Sequence, residues 1–318
     1  MIKNNEELNS YLTNQNLNED LILVLKTISD SCFEISETIR SSGINNLIGK
    51  TGEINVQGEK VEKLDEYANN LLIRNLSHTG KVFLMGSEEI ESAIIPNPNN
   101  IDSEYVVVFD PLDGSSNIDV SVTIGTIFGI YKKINNDQND LENLLQKGKN
   151  AIVAGYTVYG SSTVMCLSSS VDTSLFSFDK NGRALRTHSN IKHGNSNIYS
   201  VNESNWNNFT EKDKSWIKKL KSGTEGEYTA RYVGSLVSDF HRNLIKGGVF
   251  AYPYDSITGE GRLRLIYECN PLSFIANNTN GDASDGERKI LEIKPSNLHQ
   301  RVGFYVGSKK EMEIRKKS

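Results

Sequence analysis

The sequence has little cysteine and no long apolar run. Three cysteines occur among 318 residues, and Cys32, Cys166 and Cys269 lie too far apart along the chain to form a CxxC zinc pair or a disulfide framework. An odd, sparse set of cysteines favours a reducing, cytoplasmic compartment. No apolar run approaches the ~20 residues that span a bilayer, and the opening Met1–Glu7 lacks the basic and apolar regions of a signal peptide. We therefore expect no membrane partner.

Basic charge is also scarce. The chain has 35 Lys+Arg against 40 Asp+Glu, a formal net charge of -5. A protein that binds the nucleic-acid backbone needs a basic face to neutralise phosphates, so nucleic acid is not an expected partner. The 5 histidines show no metal-ligand spacing. A metal site in this chain would therefore be built from oxygen ligands.

Apolar spacing changes along the N-terminal half. Repeats of three and four residues predict amphipathic helices over Leu21–Ile39 and Val61–Leu76. The second helix places Asp65 near its start, beside the stripe that should be buried. From residue 81 onward, short β-rich runs predict a succession of strands.

Helical patterns return in the C-terminal half. They predict a helix over Tyr232–Leu244 and another that begins near Leu263. The polar segment Arg186–Asn197 between the halves is the most linker-like stretch. We therefore expect two domains, comprising residues 1–190 and 191–318.

One apolar run ends in a motif that suggests a binding site. Val106–Phe109 is followed by Asp110, Pro111 and Asp113, and then by the turn Gly114–Ser116. Because proline fixes the chain direction, both carboxylates and an intervening carbonyl can converge on a hard cation. The turn offers backbone N–H groups and small side chains to a phosphate. Taken alone, such a motif is more often a strand end followed by a solvated turn.

A second run ends in the same way. Lys81–Gly86 is followed shortly by Glu88 and Glu89, so the two strand ends together indicate a shared carboxylate cluster. Carboxylates packed together repel one another unless a cation neutralises them. Oxygen-only ligands select Mg²⁺ or Mn²⁺ over zinc.

The run Phe109–Asp119, continued by Ile124–Tyr131, resembles the class I fructose-1,6-bisphosphatases. The likeness extends to further segments of the chain, namely Lys63–Asp65, Ser87–Glu89, Ala154–Tyr156, Ala230–Ser235, Tyr252–Pro253, Leu263–Pro271 and His299–Arg301. The resemblance implies a layered α/β/α/β/α sandwich of the sugar-phosphatase type. It also implies that the N-terminal domain binds metal and that the C-terminal domain supplies sugar contacts.

The resemblance implies Mg²⁺-dependent hydrolysis of fructose 1,6-bisphosphate to fructose 6-phosphate and phosphate, in gluconeogenesis or a related sugar-phosphate cycle. The reaction would be in-line attack by a metal-activated water, with two or more Mg²⁺ per site and Mn²⁺ able to substitute. The implied metal ligands are Glu88, Asp110, Leu112 through its carbonyl, Asp113 and Glu268, with Glu59 where the family usually has an aspartate. The implied catalytic residues are Asp65, Glu89 and Glu88.

The resemblance also implies a substrate site and an assembly. Its residues would be Asp113, Gly114, Ser115, Ser116, Asn202, Arg231, Tyr232, Tyr252, Arg262 and Arg264. Arg231 would reach a neighbouring subunit, which implies a homotetramer. Arg262 stands where the family usually has a substrate-binding lysine, so sedoheptulose-1,7-bisphosphatase or dual-specificity activity stays open as an alternative.

Two further classes of protein fit the sequence less well. A catalytically silent scaffolding homologue would have no reason to keep mutually repelling carboxylates at 65, 88, 89, 110, 113 and 268. An inositol-phosphatase-like enzyme acting on monophosphates would share the acidic strand ends. It would not need Arg231, Tyr232 and Tyr252 together.

Overall fold

The fold comes from a computed structural model that describes residues 6–42, 49–54 and 60–318. Glu59, one of the predicted metal ligands, lies outside these residues. The described part of the chain contains seven α-helices, α1 (Leu8–Asn14), α2 (Glu19–Ser41), α3 (Lys63–His78), α4 (Glu211–Ser222), α5 (Leu236–Lys246), α6 (Asn270–Asn278) and α7 (Lys309–Lys316). None of these helices combines the length and apolar character needed to cross a bilayer.

Sixteen strands accompany the helices in the described residues. They are β1 (Lys50–Ile54), β2 (Lys60–Glu62), β3 (Val82–Ser87), β4 (Tyr105–Asp113), β5 (Ile124–Lys132), β6 (Val153–Tyr159), β7 (Thr163–Ser169), β8 (Thr173–Phe178), β9 (Ala184–His188), β10 (Ile198–Val201), β11 (Thr229–Ala230), β12 (Val249–Tyr252), β13 (Leu263–Arg264), β14 (Gly281–Ser284), β15 (Arg301–Val302) and β16 (Phe304–Ser308).

The strands form two large sheets and two small ones. The larger sheet has seven strands in the order β3-β4-β5-β6-β7-β8-β9, and it is antiparallel except for the parallel pair β3 and β4. The other has five strands in the order β11-β10-β12-β16-β14. Two-stranded pairs join β1 to β2 and β13 to β15.

Side-chain alternation along the strands builds five layers. Phe128 of β5 packs among the apolar residues of α2 and α3 on the outer face of the seven-stranded sheet. Its neighbour Ile127 points the other way, into a core shared with α5, α6 and Phe250 of the five-stranded sheet. Trp216 of α4 and Ile314 of α7 cover the far face of that second sheet. The predicted α/β/α/β/α sandwich is confirmed.

The two N-terminal helices predicted from apolar spacing are present as α2 and α3. Two C-terminal predictions were wrong in detail. The helix expected from Tyr232 begins at Leu236, because Asp239 accepts hydrogen bonds from the N–H groups of Val233 and Gly234 and holds that segment as a turn. The helix expected near Leu263 is preceded by strand β13 and a π-helical turn.

Candidate active site

The two aspartates of the strand-end motif lie on either side of a β-bulge. Asp110 pairs with Ile127 and Asp113 pairs with Gly125, so Pro111 and Leu112 together stand opposite one residue of β5, Thr126. In a regular strand, residues three apart face opposite sides of the sheet. The extra residue brings both carboxylates to the same face of the sheet. This is the face from which Ile127 packs into the core around α5 and α6.

The start of helix α5 holds Asp113. The backbone N–H of Val237 donates to Asp113 Oδ2 at 2.8 Å, and the Ser235 hydroxyl donates to the same oxygen at 3.2 Å. The helix can approach this closely because residue 125 is glycine. A β-carbon there would collide with the carbonyl oxygen of Thr157 and stand 2.7 Å from Val237 Cγ1.

We therefore expect Gly125→Ala to damage the site as well as the fold. Overpacking at this contact should lower the free energy of unfolding by about 1–3 kcal/mol, and displacement of α5 should weaken the support of Asp113. Urea unfolding and metal-dependent activity measure the two effects. Gly129→Ala on the same strand is the matched control, because its β-carbon would meet its nearest neighbours at 3.4 Å. Equal effects of the two substitutions would contradict the close-approach argument.

Glu268 comes from a π-helical turn, Leu265–Cys269, that joins β13 to α6. Such turns are often found at functional sites, because the wider ring redirects a side chain. The backbone N–H of Arg264 donates to Glu268 Oε2 at 2.5 Å, which fixes the carboxylate against the start of the turn. Glu268 is buried.

Three separate positions thus contribute to one carboxylate cluster. One oxygen from each of Asp110, Asp113 and Glu268 lies within 4.8 Å of the others, and all three residues are buried. Glu88, which follows β3, is close enough to these acids to influence their ionisation. The parallel pairing of β3 and β4 accounts for this, since it brings their carboxyl ends to the same edge.

Burial is the main cause of raised pKa values in this cluster. It raises the pKa of Glu88 to about 7, partly offset by Arg264, with Glu89 and Asp113 adding like charge. Burial raises the pKa of Asp113 to about 6, against the hydrogen bonds from Val237 and Ser235.

The other two buried acids behave in the same way. Burial and then the charge of Glu88 raise the pKa values of Asp110 and Glu268 well above their usual range. In the absence of a cation, these carboxylates therefore compete to keep protons near neutral pH.

The strand-end glutamates and Arg264 complete one wall of the cluster. Arg264 Nε lies 3.3 Å from Glu88 Oε1, and both side chains are largely removed from solvent. The N–H of Glu88 donates to the carbonyl of Phe109 at 3.1 Å, and that of Glu89 donates to the Ser87 hydroxyl at 3.2 Å. These backbone contacts fix the glutamates beside the end of β4. The charge of Arg264 offsets the raised pKa of Glu88 only in part.

The donor set fits a hard divalent cation. The three carboxylates that converge offer only oxygen, and none of the histidines or cysteines belongs to that group. Closely packed oxygen ligands with excess negative charge are what Mg²⁺, Mn²⁺ or Ca²⁺ requires, whereas structural zinc sites use sulfur and nitrogen. Because buried like charges repel strongly, a bound cation would remove the main unfavourable interaction.

A turn suited to an anion follows the bulge. Gly114 has a φ of 80°, which places it in the left-handed region that favours glycine. A short 3₁₀ helix, Ser115–Val120, begins directly after it, so backbone N–H groups cluster there. A β-carbon at Gly114 would stand 3.1 Å from Ser235 Oγ. Gly114 and Ser115 are half-buried and Ser116 is exposed.

A polar group from the second sheet lies across from the acids. The Asn202 amide and the Tyr252 hydroxyl both lie near the hydroxyl of Tyr232. Burial, followed by Tyr252 and Asp239 and in small part Asp113, raises the pKa of Tyr232 to about 12. The Tyr232 hydroxyl therefore stays protonated at neutral pH. It lies close enough to the carboxylate cluster for the charge of Asp113 to influence its pKa.

The remaining predicted residues are more dispersed. Asp65 lies in the first turn of α3, near the helix start as predicted, and its side chain is buried. Leu112 is buried, and its N–H donates to Asp110 Oδ1 at 2.9 Å. Arg231 and Arg262 are exposed, and Arg262 lies near Asp255. The structure therefore brings together most of the predicted metal ligands but leaves these two arginines at the surface.

Sequence reasoning missed the residues that support the cluster. Ser235 and Val237 hold Asp113, and Thr126 donates from its hydroxyl to the carbonyl of Pro111 at 2.8 Å. Ser235 lies in Ala230–Ser235 and Thr126 in Ile124–Tyr131, two segments that carry the family resemblance, so the resemblance was the available signal for both. Val237 contacts Asp113 through its backbone N–H, so the type of side chain at this position does not indicate that it supports the cluster.

Comparison with known proteins agrees with the site. The model for the N-terminal domain of fructose-1,6-bisphosphatase matches residues 5–188, and the C-terminal domain model matches residues 192–318. A class 1 fructose-1,6-bisphosphatase from a Sulfurihydrogenibium species is 44% identical, covering 98% of this chain and 97% of that protein. Another from Chlorobium phaeovibrioides is 46% identical, covering 87% of this chain and 85% of that protein.

A solved structure is similar over nearly the whole chain. The crystal structure of Leishmania major fructose-1,6-bisphosphatase in its holo form superposes with a TM-score of 0.94 at 35% identity, covering 98% of each chain. The apo form of the same protein gives 0.88. This chain belongs to the class 1 fructose-1,6-bisphosphatase family. The predicted family is thereby confirmed, as is the prediction of an enzyme of the hydrolase type.

Proposed function

We propose that the chain hydrolyses fructose 1,6-bisphosphate to fructose 6-phosphate and phosphate with Mg²⁺ as its cofactor. Family membership supports the reaction. The observation that carries the chemistry is the convergence of Asp110, Asp113 and Glu268 within 4.8 Å in a buried site, next to the turn at Gly114. Three buried acids that face one another are costly to the fold unless their charges are compensated.

Mg²⁺ would be held by Asp110, Asp113, Glu268, Glu88 and the Leu112 carbonyl, with Mn²⁺ able to replace it and Glu59 as a further candidate ligand. When bound, such a cation neutralises phosphate charge and lowers the pKa of a coordinated water. Two or more ions per site are proposed from the family resemblance.

Asp65 and Glu89 are proposed to accept the proton of the attacking water, with Glu88 acting beside them. The buried place of Asp65 in the first turn of α3 supports this role, because burial restricts the side chain to few rotamers. Glu89 is held next to Glu88 by the hydrogen bond to Ser87. A base close to the water gains most of its effect from this positioning.

The reacting phosphate is proposed to bind at Gly114, Ser115 and Ser116, with Arg264 supplying positive charge. Backbone N–H groups at a helix start favour anions, and arginine matches phosphate oxygens geometrically. Asn202, Tyr232, Tyr252 and Arg262 are proposed to bind the sugar and its second phosphate, and Asp113 also to contact the substrate. A phenol that stays neutral gives a directional hydrogen bond to an anionic ligand without added charge.

Phosphate release from two sugar bisphosphates tests the substrate. With Mg²⁺ and equal concentrations, we expect fructose 1,6-bisphosphate to be hydrolysed with the higher kcat/KM. Arg262 keeps sedoheptulose 1,7-bisphosphate open as the alternative, since a forked guanidinium replaces a compact ammonium group. A hundredfold preference for the seven-carbon substrate would overturn the assignment, and an Arg262→Lys variant shows whether this residue sets the ratio.

A homotetramer in the cytoplasm is the proposed assembly and location. Arg231 is exposed, and beside it the apolar Tyr232 and Val233 keep 39% and 41% of their surface exposed in the single chain. Such a run suits contact with another subunit. Light scattering after size exclusion measures the assembly, and a fully active monomer would contradict it.

All three cysteines are buried free thiols, which suits a reducing compartment.

The division into domains at residues 190 and 191 also remains a proposal. It is supported by the sheets, because every strand of the seven-stranded sheet precedes this point and every strand of the five-stranded sheet follows it. The carboxylate cluster then takes Asp110 and Asp113 from the first domain and Glu268 from the second.

A further inference from the structure

The bulge between Asp110 and Asp113, which we call the metal bulge, leaves Pro111 without a register partner on β5. The Pro111 carbonyl is buried with its residue, and a buried carbonyl without a partner costs about 1–3 kcal/mol. Thr126, the β5 residue opposite the bulge, meets this need by donating its hydroxyl hydrogen to Pro111 O at 2.8 Å. Its side chain is fully buried.

A second hydroxyl fixes the direction of the first. Tyr159 Oη lies 2.7 Å from Thr126 Oγ1. A threonine hydroxyl has one hydrogen to donate, and Thr126 gives it to Pro111, so Tyr159 is the donor in this contact. The Cys32 thiol of α2 lies beside the Tyr159 hydroxyl. The Thr126–Tyr159 hydroxyl pair is thus enclosed by protein.

The hydroxyl pair lies on the face of the seven-stranded sheet opposite to the carboxylates. Thr126 lies between Gly125 and Ile127, whose positions share the face of the carboxylates, so its own side chain points to the opposite face. Tyr159 belongs to the core formed with α2 and α3 on that face. Neither hydroxyl can therefore touch a cation or a substrate at the cluster, and any effect must pass through the backbone of the metal bulge.

We propose that Thr126 and Tyr159 are positioning residues that set the spacing of Asp110 and Asp113 for cation binding. The inference rests on the proposed metal-dependent function. Without the bond from Thr126, the Pro111 carbonyl must find another partner, and turning that peptide moves both aspartates, since each is within two residues of it. Residues that orient metal ligands from behind commonly change metal affinity or activity about 10- to 100-fold when mutated.

The test compares Thr126→Val with Thr157→Val. Thr157 pairs with Thr126 on the next strand and is equally buried, and within the described chain its hydroxyl donates to no part of the metal bulge. Free Mn²⁺, counted by electron paramagnetic resonance, gives the Kd of each variant without substrate. We expect about a 10-fold or larger rise in Kd for Thr126→Val, little change for Thr157→Val, and substantial recovery in Thr126→Ser. Tyr159→Phe should show a smaller loss.

Equal Mn²⁺ affinity of the two valine variants would overturn the proposal, as would a loss in Thr126→Ser as large as in Thr126→Val. If Thr126→Val does not fold, the comparison of Thr126→Ser and Tyr159→Phe with wild type decides, because unchanged affinity in Tyr159→Phe refutes the role of the pair.

Release of phosphate by the wild type is assayed separately. A wild type that binds Mn²⁺ but cannot hydrolyse fructose 1,6-bisphosphate would refute the function and leave the positioning test intact.

Discussion

Asp113→Asn should reduce kcat/KM with fructose 1,6-bisphosphate by about 10³-fold or more, a loss of ~4 kcal/mol of transition-state stabilisation. The change removes a charge from the centre of the carboxylate cluster while preserving shape. The amide oxygen of asparagine can still accept from the N–H of Val237, the stronger contact of this side chain at 2.8 Å. The fold should therefore survive while cation binding fails.

The same variant separates a functional cluster from a structural one. Removing one of several buried, repelling acids should leave the metal-free protein at least as stable as wild type in thermal unfolding at pH 7.5. Asp102→Asn, an exposed aspartate in the loop before β4, is the matched control and should change neither activity nor stability. Retained turnover in Asp113→Asn would refute the metal assignment.

Mg²⁺ should bind more tightly as the pH rises from about 6 to 8, and its removal with a chelator should abolish activity. Burial raises the pKa of Glu88 to about 7 and that of Asp113 to about 6, so both keep protons in the metal-free site at low pH. A cation must displace these protons, and each one released changes the apparent association constant about tenfold per pH unit.

The same shifts give the sign of the stability change. An acid whose pKa is higher in the folded state stabilises that state at low pH, and the contribution is lost as the pH rises from its unfolded value through the folded one. The metal-free protein should therefore lose stability between about pH 4.5 and 7, and Mg²⁺ should restore it. Calorimetric titrations at pH 6 and 8, in buffers of different ionisation enthalpy, count the protons. An affinity independent of pH would contradict the predicted coupling.

The layers of the fold follow from patterns that the sequence displays. Apolar spacing in α2 and α3 predicts the helices of the outer layer, because each buries one stripe. The apolar runs at β3 and β4 predict strands, and the structure buries every residue of both. Both signals depend on neighbouring residues along the chain, which is why they could be recognised without the structure.

The geometry of the site depends on contacts between distant residues. Asp110 and Asp113 stand out as acids at a strand end, but nothing local predicts the bulge that turns them to one face. Glu268 was identified through the family resemblance alone, since its segment suggested a helix near Leu263 and the π-helical turn was not expected. Thr126 and Tyr159 look like ordinary strand residues because their role comes from what lies opposite them.

Anomalous scattering from a crystal grown with Mn²⁺ tests the central claim most directly. Mn²⁺ substitutes for Mg²⁺ at oxygen sites, and its anomalous signal distinguishes it from water. We expect peaks at coordination distance from carboxylate oxygens of Asp110, Asp113 and Glu268, with Glu88 beside them, and loss of at least one peak in Asp113→Asn. Ions bound elsewhere, or none in a crystal of active enzyme, would contradict the claim that this cluster is the metal site.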